Sequence, residues 1–423
     1  MEKALYDKYI EVLNEELITA LGCTEPIAIA LAAAVARKEL GKEPDKIIAD
    51  CSGNIIKNVK GVTVPNSGGQ KGVEVAAVLG AIAGNCDNKL EVLTGVSEAD
   101  IERSGEMVKK GICEVNLIEG VANLYVGITV KSGNDYARAE ILDKHTNVVT
   151  IERNGIRKLD TKKEFNADTF NKKRDFLSLN GIFDFIDCLD VKDVENLLMH
   201  QIELNTKIAE EGMKNDWGVN YGKKIIKFHG DSVQYRAMAY AAAGSDARMS
   251  GCDLGVVINS GSGNQGITVT LPIVEYAKEL KVSKEKMLKA LALANLLGIY
   301  LKKGIGSLSA FCGAVSAGSS AGAAITYMKG GTREQIAYTL TNALGNIGGM
   351  ICDGAKSSCA AKVATSIHAA LIASEMAFDN DNFKGGEGII MDDPELTIRN
   401  IARLGRVGMA ATDVEILNMM IGK

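Results

Sequence analysis

The chain has 423 residues, 46% of them hydrophobic and 24% charged, with a formal net charge of −5. That length exceeds what one hydrophobic core normally supports and predicts two domains. The acidic balance and the 5% aromatic content exclude nucleic acid as the main partner, because neither a basic field for phosphates nor a stacking surface for bases is available.

The N-terminal run from Met1 to Leu13 is a mixed-charge amphipathic pattern without the basic and apolar regions of a signal peptide. A cytoplasmic location is therefore expected, where the nine cysteines serve as free thiols or metal ligands before disulfides. The pattern predicts a helix over 2–19. A second helix is expected after Gly22-Cys23-Thr24-Glu25-Pro26, with Thr24 as its N-cap and Pro26 in its first turn. Short strands are expected over 47–52, 62–64 and 90–93, a helix over 73–84, and another opened by a capping box at Ser97. Residues 111–154 follow a period of two, are rich in Val, Ile, Thr and Tyr, and predict antiparallel strands. The polar, charged stretch 157–177 reads as a linker or exposed crossing.

From residue 182 onward helical periodicity dominates, with helices expected over 191–211, 234–247, 283–302, 309–328, 332–344 and 355–378. A final amphipathic pair covers 393–420. One strand-like run, Leu254 to Ile258, leads into a Gly-rich loop. The uncharged stretch 307–328 is long enough to span a bilayer. Its Gly, Ser and Ala content predicts a buried core helix instead. The fold class is therefore α+β: a mainly helical domain (1–40 and 175–423) with a smaller mixed α/β domain containing antiparallel strands (41–174).

Cys312, Cys352 and Cys359 each sit among small residues. Three thiolates can hold a metal centre and leave one coordination position open. Their spacing is not the paired Cys-x-x-Cys of structural zinc, nor the tight four-cysteine run of a ferredoxin. A three-cysteine cluster site and ordinary buried thiols both remain open on spacing alone. Cys51, Cys86, Cys113, Cys188 and Cys252 read as ordinary buried thiols. Cys23 starts a helix, where the unpaired N–H groups favour an anion. A thiol there can have a depressed pKa and act as base or nucleophile; a small buried cap residue is the alternative. Two Asn-Ser-Gly loops, Asn66-Ser67-Gly68 and Asn259 to Gly266 with Asn264, offer backbone N–H groups for a carboxylate or phosphate, or are plain turns. His145, in a strand-turn context, is a candidate substrate ligand. Lys356 and Lys362 flank Cys359 and are candidates to face an anionic cluster or a substrate carboxylate.

Together these segments resemble the iron–sulfur L-cysteine desulfidases, relatives of the iron–sulfur L-serine dehydratases. The resemblance covers essentially the whole chain. It rests on Gly22-Cys-Thr-Glu-Pro26, Ser52-Gly-Asn-Ile-Ile-Lys-Asn58, Val64-Pro-Asn-Ser-Gly-Gly69, His145-Thr-Asn147, Gly261-Ser-Gly-Asn-Gln-Gly266, Phe311-Cys-Gly313 and Cys352-Asp-Gly-Ala-Lys-x-x-Cys359. It implies a [4Fe–4S] cluster on Cys312, Cys352 and Cys359, and a catalytic Cys23. It also implies conversion of L-cysteine to pyruvate, ammonia and hydrogen sulfide. On that reading the unliganded iron is a Lewis acid for the substrate sulfur and Cys23, as thiolate, takes the Cα proton. Thr24, Asn66, Ser67, Gly68, His145 and Asn264 are the expected grips on the carboxylate and amine. The expected partner is a small-molecule substrate, with no nucleic acid and no membrane; a homodimer is the candidate assembly. An L-serine dehydratase with the same cluster chemistry and a non-catalytic iron–sulfur cysteine sensor are the alternative readings.

Overall fold

A mixed sheet and a helical assembly meet along the N-terminal third of the chain. The computed structural model describes residues 1–162, 174–306 and 308–423. Part of the expected 157–177 crossing, and Ser307 at the head of the uncharged stretch, lie outside them. The fold is α+β, as the sequence predicts.

The sheet has six strands in the order β3-β2-β4-β5-β6-β7, where β2 is Lys46–Cys51, β3 Cys113–Leu117, β4 Tyr125–Ser132, β5 Asp135–Leu142, β6 Val148–Arg153 and β7 Ile156–Asp160. All pairs are antiparallel except β2 with β3. β7 falls inside the expected crossing. It forms because Asn154 and Gly155 both take positive φ, 49° and 83°, the conformation of a two-residue hairpin turn. The helix Thr24–Leu40 packs on the sheet, and the helix Val73–Ala83 packs on that helix in turn.

In the helical part, Gly313–Met328 is the central element. It packs against Gly263–Leu280, Lys284–Ile305, Arg333–Ile347 and Cys359–Asp379. Surrounded on so many sides, it needs small residues all round rather than one apolar stripe. A Cβ on Gly318 would lie 2.7 Å from the Ser366 Cβ, and one on Gly322 would lie 2.7 Å from the Ala370 Cβ. Among the described residues no helix is long and apolar enough to cross a membrane.

Several expectations are corrected. The first helix ends at Glu16, and Thr19–Leu21 (β1) pairs antiparallel with Gly255–Val257 (β8). This pairing ties the chain start to the Gly-rich loop after β8. Residues 90–93 are not a strand; a 3-10 turn covers Cys86–Glu91. Residues 62–64 contribute only an isolated bridge, Thr63 to Lys71. The helices Gly53–Lys60, Tyr221–His229 and Gly263–Leu280 were not expected. The last begins in what reads as a loop and carries Pro272 in its interior, a residue that normally breaks helices. Cys188 is exposed and Cys86 and Cys113 are half-buried, so only Cys51 and Cys252 of the ordinary thiols are core residues.

Candidate active site

Four helix starts meet at one cavity. Cys23 is the N-cap of Thr24–Leu40, Ser262 of Gly263–Leu280 and Cys312 of Gly313–Met328, while Cys359 is the first residue of Cys359–Asp379. All four residues line the same inner cavity of about 100 Å³, as does Cys352. That volume accepts on the order of eight water-sized bodies at about 10–15 Å³ each. Unpaired N–H groups and the helix dipoles make such a junction favourable for negative charge. Cys312 and Cys352 are fixed by paired backbone bonds, Cys312 N to Met350 O at 2.9 Å and Cys352 N to Ala310 O at 2.6 Å.

All three C-terminal thiols are free. Burial pushes the Cys312 thiol up to about 12, with the neighbouring Cys352 adding to the shift. Burial also raises Cys359. Thiols held this way keep their protons until a metal displaces them. Among the described residues no group of three His, Cys, Asp or Glu side chains is arranged to hold a single ion. Cys312, Cys352 and Cys359 instead surround a void. A shared cavity of this kind can take a multi-iron cluster rather than a single ion, and thiolate is such a cluster's ligand type. The residues fit a [4Fe–4S] cluster held by three cysteines.

Cys23 makes no side-chain capping bond. Its Sγ donates to Glu25 Oε2 at 3.0 Å, and the Thr24 hydroxyl donates to the same oxygen at 3.1 Å. Burial, and then the charge of Glu25, raises the Cys23 thiol well above its ordinary value. The expected depressed pKa is therefore corrected: the helix start is sealed inside the protein, and the nearest charge is a carboxylate. Burial alone would raise Glu25 as well. His145 and the Cys23 hydrogen bond outweigh it and hold the carboxyl down at about 2. His145 Nε2 lies 3.8 Å from Glu25 Oε1, an ion-pair distance when the ring is protonated and too long for a hydrogen bond. The proton rests on sulfur and the charge on Glu25. The sequence reading quoted Glu25 inside its motif and gave it no role.

The loop with Pro65 serves Cys23 from behind. Gly22 has φ +57°, and a Cβ there would sit 2.2 Å from the Pro65 Cγ. The loop's polar groups are used locally: Asn66 Nδ2 donates to Leu93 O at 2.9 Å and Ser67 Oγ to Gln70 O at 3.0 Å. Asn66, Ser67 and Gly68 do not line the cavity, so the structure does not bring them to the site. Thr24 is not an N-cap. It is the first helical residue, and its hydroxyl, whose one proton is shared between Glu25 and this loop, lies 3.0 Å from Gly261 O, joining the cysteine motif to the Gly-rich loop. His145 and Asn264 do line the cavity.

The basic residues divide sharply. Lys356 and Lys362 are engaged by the cluster loop: Lys356 Nζ lies 2.7 Å from Asp353 Oδ1, and Lys362 donates to Ile351 O at 2.7 Å and pairs with Asp353. Lys57, 1% exposed, pairs with Asp413 and donates to Cys352 O at 3.2 Å. Arg248 differs. It lines the inner cavity, is 2% exposed, and its side-chain hydrogen bond goes to the neutral Asn264 Oδ1 at 3.2 Å rather than to a carboxylate. Lys302, whose ammonium is destabilised by burial, stands in the wall between this cavity and an outer one of about 410 Å³. His145, Ser260, Gly261 and Leu308 complete that shared wall.

The family model described as serine dehydratase alpha chain matches residues 87–418. That span contains His145, Arg248, Asn264 and the three C-terminal cysteines, and leaves out Cys23 and Glu25. Similar full-length chains carry the name UPF0597 protein. One from Lachnoclostridium phytofermentans is 46% identical, covering 99% of this chain and 100% of its own length. One from Finegoldia magna is 48% identical over 98% of this chain and 99% of its own. One from Fusobacterium nucleatum is 40% identical over 98% of each.

Proposed function

Because the chain belongs to the serine dehydratase alpha chain family, a family that works with a [4Fe–4S] cluster, we propose that it eliminates sulfide from L-cysteine to give pyruvate, ammonia and hydrogen sulfide. Lyase chemistry of the dehydratase type follows from the family. The observation that supports the fuller reading is the Cys23–Glu25 pair lining one small cavity with Cys312, Cys352 and Cys359.

Cys312, Cys352 and Cys359 would hold the cluster. When bound it supplies a Lewis acid for the leaving group, and a soft one suits sulfur. The protein's own part is proton transfer and positioning. Cys23, as thiolate, takes the Cα proton. Glu25, held down at about 2, is too weak a base to pull the proton from sulfur, so that thiolate forms when binding in the cavity lowers the thiol from its sealed-in value. The Cα–H pair becomes the Cα=Cβ bond and the Cβ–S bond breaks, releasing sulfide. The aminoacrylate left behind tautomerises to an imine, which one water converts to pyruvate and ammonia. His145 keeps Glu25 ionised beside Cys23, where the carboxylate orients the thiol through their hydrogen bond. Cys23 is thus a carboxylate-oriented thiol in the resting site rather than a resting thiolate.

The matching family's description favours a second reading, L-serine with water as the leaving group. Steady-state kcat/KM for both amino acids, on protein reconstituted and assayed without air, separates them. The proposal requires L-cysteine to be the faster substrate. A large excess for L-serine overturns it.

A further inference from the structure

The elimination chemistry leaves the guanidinium of Arg248, in the inner cavity, unused. Arg248 lies near the end of the helix Val233–Met249 and is 2% exposed. A buried cation without an anionic partner is strongly disfavoured. Here Nη1 donates to Asn264 Oδ1 at 3.2 Å, and the buried Nε has no hydrogen-bond partner. The space around it is built. A Cβ on Gly263 would fall 2.2 Å from Nε and 2.6 Å from Cζ, so this helix start has given up its side chain to let the guanidinium lie against the backbone. A second unpaired group stands two residues on. Gln265 is 4% exposed, lines the same cavity, and its Oε1 has no partner.

One wall therefore presents N–H donors on a fixed positive charge, and beside them an unused carbonyl acceptor. An α-amino acid head group has the complementary pattern. Its carboxylate accepts two parallel N–H bonds from a guanidinium, and its ammonium donates to an amide oxygen. We infer that Arg248 is the α-carboxylate anchor of this site, oriented by Asn264 and seated on Gly263, and that Gln265 Oε1 receives the α-ammonium. This inference rests on the lyase reading above only in taking the ligand to be an α-amino acid. It makes Arg248 a substrate-binding residue and Asn264 a positioning residue.

Binding of non-reacting ligands tests it apart from turnover. L-Alanine has no leaving group, L-alaninamide has no carboxylate, and propionate has no ammonium. Calorimetric titration of the cluster-loaded protein should show alanine binding at least about 30-fold more tightly than alaninamide, the scale of a lost buried charge pair. In Arg248→Gln that preference should collapse to within about threefold, with iron content unchanged. Arg248→Lys keeps the charge and the aliphatic stem, guarding against misfolding, and should bind alanine about tenfold more weakly through loss of the bidentate fork. Gln265→Leu should weaken alanine and leave propionate unaffected. The inference is overturned if Arg248→Gln weakens alanine and alaninamide equally, or if Arg248→Gln loses iron while Arg248→Lys keeps it, which would make the guanidinium a counter-charge for the cluster. If these binding results hold while neither cysteine nor serine is turned over, the head-group site stands and the proposed reaction fails.

Discussion

The Cys23 thiol donates a 3.0 Å hydrogen bond to Glu25 Oε2, inside the cavity that Cys312, Cys352 and Cys359 also line. On the proposed mechanism the thiol and the carboxylate that orients it act as one unit. Glu25→Gln should therefore lower kcat by about 10²–10⁴-fold, the usual range for a lost acid–base group. Cys23→Ala should do the same, and the double variant should be no worse than the poorer single, because members of one unit are strongly non-additive. Iron content should stay at the wild-type level in all three. Full additivity of the two losses would show that the residues work separately.

On the proposed reading, Cys352→Ala and Cys359→Ala each remove one of three cluster ligands. Both should lose the cluster's iron and acid-labile sulfide after anaerobic reconstitution. Because a bound group that the unfolded chain does not bind adds stability by mass action, chelating iron from the wild type should lower its melting temperature. The two variants should melt near the chelated protein and show no further drop with chelator.

The Lys57–Asp413 pair is the buried tie between the short helix Gly53–Lys60, the C-terminal helix Ala410–Ile421 and the loop of Cys352. Removing one partner of a buried pair leaves an uncompensated charge and costs about 3–5 kcal/mol. Asp413→Ala should show a loss of that size in denaturant unfolding. Replacing both partners, Lys57→Met with Asp413→Leu, should recover much of the stability. It should still load the cluster poorly, because the donor to the Cys352 carbonyl is gone.

Acid stability should depend on Glu140, far from the cavity. Tyr125 and Thr150 hydroxyls each donate to it at 2.8 Å, and Lys162 and Arg138 stand at 3.1 Å. Burial alone would raise this carboxyl; these partners hold it at about 2. A carboxylate lowered in the folded state stabilises fully above its unfolded pKa, near 4.3, and that stability is lost as pH falls through the folded value. Glu140→Gln should thus cost on the order of 2 kcal/mol at pH 7. The gap to wild type should shrink steadily between about pH 5 and pH 2, read from melting curves across that range.

The central strands of the sheet and most helices are legible because periodicity and capping boxes carry them, whereas β1 and β7 are not and the expected strands over 62–64 and 90–93 do not form. Ser97 and Thr332 both make the boxes their sequences announce. The helix Gly263–Leu280 was hidden by its Gly-rich start, its β-branched run and Pro272, which tertiary burial overrides. Cys312, Cys352 and Cys359 stand out in the sequence as thiols among small residues, while their spacing alone leaves a cluster site and ordinary buried thiols both open. Glu25 and Arg248 were not singled out. Their roles depend on what lies across the cavity, two hundred residues away in the chain. A signal exists for Arg248: it is a charged side chain near the end of the Ala-, Gly- and Ser-rich second half of its helix, which is buried from Ala241 to Met249. The two Asn-Ser-Gly loops look alike in sequence, yet one buttresses Gly22 through Pro65 while the other lines the cavity with Asn264. Only the β1–β8 pairing, which brings the second loop to Cys23, distinguishes them.

The most direct test of the central claim is the ratio of sulfide to pyruvate released from L-cysteine by the anaerobically reconstituted protein, measured alongside its iron content. The account predicts one sulfide per pyruvate, at a rate proportional to iron loading and lost in Cys352→Ala. A protein with its full complement of iron that releases neither product from L-cysteine would contradict it.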